Sequence, residues 1–216
     1  MKLTISNLKK EAALFAEIES AHYESEIYGA TDGKAVGTYL EHKFLKFLQE
    51  KSYQFTAGNS AKGIDFPELR VDIKTTSGRQ PQSSCPFRSA RQKIYGLGYS
   101  LLIFVYNKED LHEIEKSRLV IQNIIFVESE RTADWQTTKG IQKILENEGN
   151  TDDLIAFFEE RMLPIDSIAA AQLAEEILAN PPQIGYLTIS NALQWRLQYQ
   201  RVIEKAGTVE GIFRVK

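Results

Sequence analysis

The sequence predicts an α/β fold with a central mixed sheet flanked by helices and a mainly helical C-terminal region. Three observations carry this expectation. Apolar residues recur at helical spacing through the first fifty positions, and the residues alternate with period two from Leu69 to Thr76. Two apolar runs, LLIFVY at Leu101 to Tyr106 and LVIQNIIFV at Leu119 to Val127, then read as strands, the first buried on both faces.

The first element, from Ile5 to about Ser25, is an amphipathic helix: Leu8, Ala12, Phe15, Ile18 and Ala21 or His22 share a face, and Gly29 follows the pattern. Thr31, Asp32 and Gly33 form a loop and cap for a second helix from about Lys34 to Lys51. Val36, Leu40, Phe44, Phe47 and Leu48 make its buried stripe. Glu41 sits beside Leu40 and one turn after Gly37, so it borders the apolar face, and Gly37 removes bulk next to it. That position suits a carboxylate aimed into a cleft, although an exposed helical Glu is the commoner arrangement. Tyr53 to Thr56 reads as a short strand, and Gly58 with Asn59 as a turn.

The stretch Ser60 to Ser77, SAKGIDFPELRVDIKTTS, reads as a hairpin. Leu69, Val71, Ile73 and Thr75 fall on one face and can enter a core. Arg70, Asp72, Lys74 and Thr76 fall on the other, which is too charged to bury without a purpose. Asp65 arrives from the far side of a turn at Pro67 and Glu68. Hydrolysis of a phosphodiester needs an activated water and a stabilised leaving oxygen, and divalent cations held by carboxylates supply both. Asp65, Asp72 and the carbonyl of Ile73 are the expected ligands. Lys74 lies two residues beyond Asp72, roughly 7 Å along the strand, within reach of a water or phosphate oxygen. Glu41 would complete the outer part of the site or bind a second ion. Without its context, the same pattern describes a surface hairpin carrying an ion pair worth well under ~1 kcal/mol.

After Lys74 comes a polar loop, TTSGRQPQSSCPFRS, longer than an ordinary connection. A helix from about Arg88 to Gly98 then leads to the two apolar strands, and strand, helix, strand in this order implies a right-handed crossover and a partly parallel sheet. Helical patterns follow around Ile141 to Leu145, Leu154 to Phe158 and Ile168 to Leu178, punctuated by Pro164, Pro181 and Pro182. The stretch TISNALQWRLQYQRVIEKAG reads as a last helix capped by Ser190 or Asn191, with Leu193, Leu197 and Ile203 among its apolar positions, and VEGIFRV as a terminal strand. The expected division is a core over residues 1–135 and a helical region over 136–216 that contacts DNA or dimerises.

Composition excludes several classes. With 43% hydrophobic and 25% charged residues the chain is an ordinary globular one. The net charge of -3 argues against blanket affinity for nucleic acid but conceals an asymmetry. Thr75 to Asn107 holds Arg79, Arg88, Arg91 and Lys93 and no acid, whereas Ile144 to Asn180 holds nine acids against Arg161. Cys85 alone excludes a disulfide framework, and His22, His42 and His112 lack zinc-site spacing. Walker and GxSxG motifs are absent. The lack of a signal peptide or long apolar run makes a cytoplasmic protein without membrane contact the expectation.

GKAVGTYLEHKF followed by GIDFPELRVDIKTT resembles the PD-(D/E)XK nucleases, and within them the type II restriction endonucleases and the methyl-directed mismatch-repair nicking enzyme. The likeness covers roughly Asp32 to Val127, and it departs from the name-giving motif at Ile64, where proline is frequent, and at Asp72, where glutamate is commoner. The resemblance implies a restriction-endonuclease-like core in which Glu41, Asp65, Asp72 and Lys74 bind Mg2+ and activate water. It implies a sequence-specific cut in double-stranded DNA, a homodimer and a cognate DNA methyltransferase. Arg79, Arg88, Arg91 and Lys93 would then grip phosphates or guanine edges, with Gln80, Gln82 and Gln92 on adenine edges. Gln194, Arg196, Gln198 and Arg201 form a second reader or, equally, the wet face of a packing helix. A nicking, repair or structure-specific nuclease on this fold, and a non-catalytic DNA-binding protein on the same scaffold, are the alternatives.

Overall fold

The computed structural model describes residues 1–58, 64–86, 88–191 and 194–216. In chain order its elements are α1 (Ile5–Ser20), α2 (Gly33–Glu50), β1 (Val71–Ser77), β2 (Gln82–Pro86), α3 (Arg91–Tyr95), β3 (Ser100–Leu111), β4 (Lys116–Val127), α4 (Trp135–Glu146), α5 (Thr151–Glu160), α6 (Ser167–Ala179), β5 (Thr188–Ile189), β6 (Gln194–Gln198), α7 (Gln200–Lys205) and β7 (Ile212–Arg214). They group into two compact units. One comprises residues 1–83, 100–127 and 205–216, the other 84–99 and 128–204.

The first unit is the α/β body that the sequence predicts. Its sheet runs β1-β3-β4-β7, with β1 parallel to β3 and the other two pairs antiparallel, so it is mixed. In β3 every residue from Leu101 to Tyr106 is buried, which is why that run carries no polar alternation. Leu102, Phe104 and Tyr106 join the core formed with Leu8, Ala12 and Phe15 of α1 and Val36, Leu40, Phe44 and Leu48 of α2. Phe44 lies 5.1 Å from Phe15 and 5.2 Å from Phe104, ring to ring, and its complete burial contributes roughly 1.5–3 kcal/mol. Asp32 caps α2 by accepting from Lys34 N–H at 2.9 Å, as the sequence predicts.

The second unit holds α3 to α6 around Ile94, Ile141, Leu154, Phe158, Leu173 and Ile177, together with the small sheet β2-β6-β5, which the chain enters through β2. Asp134 organises the start of α4. Its Oδ1 accepts from Thr137 N–H at 2.8 Å, and its Oδ2 accepts from Ile189 N–H at 2.8 Å, tying α4 to β5.

Four local expectations are corrected. The last predicted helix is a pair of antiparallel strands, Ile189 opposite Leu197, followed by the short α7. Trp195, Leu197 and Tyr199 are buried while Arg196 and Gln198 are exposed, a period of two that overrides the helical propensity. Ser190 Oγ accepts from Arg196 N–H at 2.9 Å across that pair, in place of capping a helix. Leu193, Asn59 and the Gln194 side chain fall outside the described residues. The helix expected from Arg88 to Gly98 is only α3, because Gly96 and Gly98 adopt left-handed backbone, φ 91° and 85°. The long polar loop is mostly strand: β1 continues to Ser77 and β2 begins at Gln82, with Thr76 Oγ1 accepting from Gln82 N–H at 2.9 Å across the turn. Tyr53 to Thr56 contributes one bridge, Gln54 to Lys2, and no strand. Among the described residues no helix is long and apolar enough to cross a membrane.

Candidate active site

β1 stands at the end of its sheet, so its outer N–H groups have no strand partner. The Asp65 carboxylate takes one of them, accepting from Ile73 N–H at 2.7 Å. The chain reaches that position through a tight reversal. Phe66 and Val71 bridge each other, Phe66 N–H to Val71 O at 2.9 Å and Val71 N–H to Phe66 O at 3.2 Å, and Arg70 takes a left-handed φ of 53° between them. Residues 60–63 of the expected hairpin fall outside the described residues; among those described it is a single bridge, which delivers Asp65 to the edge of the strand that carries Asp72 and Lys74.

Val71 and Ile73 enter the core, and Asp72 and Lys74 alternate onto the other face. Asp72 is 4% exposed. Burial raises its carboxyl, the negative charge of Asp65 beside it raises it further, and Lys74 opposes both, leaving Asp72 pushed up to about 7. Lys74 Nζ lies 2.7 Å from Asp72 Oδ2. That oxygen is buried and receives no hydrogen bond of acceptable geometry, so the ammonium meets it as an ion and not as an aligned donor.

Glu41 approaches from α2. Its Oε1 accepts from Thr75 Oγ1 at 3.2 Å, and burial raises its carboxyl, with Lys74 opposing and Asp72 adding to the rise. Gly37 makes this possible: a Cβ there would stand 2.5 Å from Thr75 Oγ1. The sequence placed Thr75 on the apolar face and assigned it no role. Gly37 and Glu41, one turn apart, are legible in the sequence, but the packing of α2 on β1 that selects Thr75 as the partner is not.

Asp65, Asp72 and Lys74 are thus brought together, with Glu41 close enough to feel the charges of Lys74 and Asp72 but bonded to Thr75. Among the described residues no group of three or more His, Cys, Asp or Glu side chains is gathered for a metal ion. The donor set nevertheless suits one hard cation. Buried Asp72 and half-buried Asp65 stand together at mutual electrostatic cost, and Asp72 Oδ2 has an unused lone pair.

A family model described as type II restriction enzyme NspV matches residues 2–214. The chain belongs to the NspV family of type II restriction enzymes. The curated type II restriction enzyme NspV of Nostoc sp. (strain ATCC 29411 / PCC 7524) is 63% identical over 213 residues, 99% of this chain and 96% of that relative. No solved structure matches the chain at a significant level. Membership of the NspV family bears out the restriction-endonuclease expectation at the level of the family.

The residues expected to meet DNA in this NspV-family chain stand in both units. Arg79 and Gln80 are exposed in the turn after β1, and Gln82 is half-buried. In the second unit Arg88 and Arg196 are exposed. The Arg91 guanidinium donates through Nε and Nη2 to the Glu176 carboxylate, Nη2 to Oε1 at 2.5 Å. Gln92 Nε2 donates to Leu97 O at 2.9 Å. Lys93 is 3% exposed and bonded to Asn191 Oδ1. The Arg201 guanidinium lies 4.0 Å from the Trp135 ring centroid.

Proposed function

We propose that this chain is a Mg2+-dependent, sequence-specific double-stranded DNA endonuclease of a restriction-modification system, built on the PD-(D/E)XK plan. The observation that carries the reading is the meeting of Asp65, Asp72 and Lys74 at the edge of β1, with Lys74 Nζ 2.7 Å from Asp72 Oδ2 and Asp65 held by Ile73 N–H. Family membership gives the reaction class.

In this reading Asp65 and Asp72 hold the cation with the Ile73 carbonyl. A bound divalent cation lowers the pKa of coordinated water and braces the charge of the phosphate. The chain's own residues do the rest. Ile73 N–H fixes the Asp65 carboxylate so that it need not be ordered on binding. Asp72 would serve as a ligand in its ionised form, its proton, favoured by burial and by Asp65, passing to solvent. Lys74, anchored beside Asp72, presents its ammonium to the attacking water or to a phosphate oxygen. Glu41, braced by Thr75, adds negative charge on the helix side of the site. Arg79, Gln80, Gln82, Arg88 and Arg196 are the proposed DNA contacts. Symmetric cleavage of both strands favours a homodimer, and self-protection of the host requires a methyltransferase with the same specificity.

Plasmid DNA incubated with the protein and magnesium is expected to yield discrete fragments, and Lys74→Ala is expected to abolish them while DNA binding persists. Cleavage that survives Lys74→Ala would sink the site assignment. Nicked circles without linear product would move the protein to the nicking class.

A further inference from the structure

The second unit carries a basic groove along α4. Trp135, Lys139 and Lys143 follow one another at four-residue spacing along α4, so they line one face of that helix. With Arg161 and Tyr186 they wall an open cavity of about 770 Å³, in which Glu146 is the only acidic lining residue.

Two features separate this groove from the rest of its unit. The unit as a whole is acidic, with thirteen Asp and Glu against nine Lys and Arg, so a basic groove stands out as a local attractor for a polyanion that the remaining surface repels. The state of its cations is the second. Among the described residues no carboxylate pairs with Lys139, Lys143 or Arg161, whereas Arg91 of the same unit is held by Glu176. Lys139 Nζ lies 5.0 Å from the Trp135 ring centroid and Arg161 donates to Gln136 Oε1 at 2.9 Å. These are weak or neutral partners, and a phosphate replaces them without breaking an ion pair.

We infer that the Trp135–Lys139–Lys143–Arg161–Tyr186 groove binds the phosphate backbone of duplex DNA, making α4 part of the grip on the substrate. The inference rests on the DNA-cleaving reading above. The contact is to phosphates, for which Lys139, Lys143 and Arg161 supply the charge along one open wall, and contacts of that kind position a duplex without reading its sequence. It gives the second unit a role in affinity that is independent of which sequence is cut.

The test is the salt dependence of binding to a labelled random-sequence duplex, followed by fluorescence anisotropy in EDTA so that no strand is cut. Each phosphate contact contributes about 0.9 to the slope of log K against log salt. Lys139→Gln/Lys143→Gln, two exposed positions whose change leaves the core alone, is therefore expected to make the slope shallower by roughly 1.8. Lys10→Gln/Lys116→Gln, exposed lysines of the first unit, is expected to leave it unchanged. An unmoved slope in the α4 variant, or an equal change in the control, overturns the groove alone. Failure of the wild-type protein to bind duplex at any salt overturns the DNA reading and the groove together.

Discussion

Lys74 Nζ stands 2.7 Å from Asp72 Oδ2, yet that contact does not outweigh the burial of the carboxyl, which is pushed up to about 7 by burial first and also by Asp65. The unfolded chain releases the same proton near the ordinary value of 3.8. Between about pH 4 and pH 7 the folded state therefore binds a proton that the unfolded state has lost, so stability falls as pH rises through that window and levels off above it. Asp72→Asn removes the charge and keeps the shape. Its melting temperature at pH 8 without metal is expected to exceed that of the wild type by several degrees, with the difference closing towards pH 4. A variant that melts at or below the wild type at pH 8 refutes this account of the strand.

The same proton competes with a cation. Magnesium is expected to raise the melting temperature at pH 8 and to do so far less at pH 6, with the apparent affinity dropping about tenfold per pH unit below 7 because Asp72 must ionise to serve as a ligand. EDTA should return the melting curve to its starting point, and Asp72→Asn should abolish the shift. Equal shifts at the two pH values would place the cation elsewhere.

Much of this was legible in the sequence, and the exceptions have a common cause. The alternation around Asp72 and the apolar runs of β3 and β4 report burial directly, so the sheet and the charged strand could be read from them. Asp65 could be placed because Pro67 marks the reversal that returns it to the strand. What escaped was structure decided by partners distant in sequence. Gln194 to Gln198 is rich in helix formers, but burial of Trp195 and Leu197 against the unit's interior makes it a strand. Gln82 to Pro86 lacks apolar alternation and is held instead by sheet pairing and by Thr76. Glu41 was noticed, but its hydrogen bond to Thr75 depends on the distance between a helix and a strand, which no local pattern encodes.

Lys93 separates charge counted along a sequence from charge offered to a ligand. It is 3% exposed, its side chain ends on Asn191 Oδ1, and burial lowers its ammonium pKa against the opposing influence of Asp134. Lys93→Met fills the same space, and Asn191, which is exposed, can turn to water. Stability is expected to change by no more than about 1 kcal/mol, and the salt slope of duplex binding is expected to stay where it was. A slope reduced by about 0.9 would instead mark Lys93 as a phosphate contact.

Gly37, Thr75 and Glu41 form a set whose members can be exchanged in a cycle. Gly37→Ala puts a methyl group 2.5 Å from Thr75 Oγ1, and the hydroxyl is held there by its bond to Glu41. Overpacking of this kind costs about 1–3 kcal/mol, and relief by shifting α2 would carry Glu41 away from the strand. Thr75→Ala removes the obstructing atom, and Thr75 Cβ lies at an ordinary 3.7 Å from the added methyl group. The double variant Gly37→Ala/Thr75→Ala is therefore expected to be more stable than Gly37→Ala and close to Thr75→Ala, a coupling that thermal melts resolve. Cleavage follows a different order. Both variants that lack the Thr75 hydroxyl leave Glu41 without its donor, so neither should recover wild-type activity even where packing is restored. Additive melting temperatures would show that the helix takes up the methyl group elsewhere, and full activity in the double variant would show that Glu41 needs no brace.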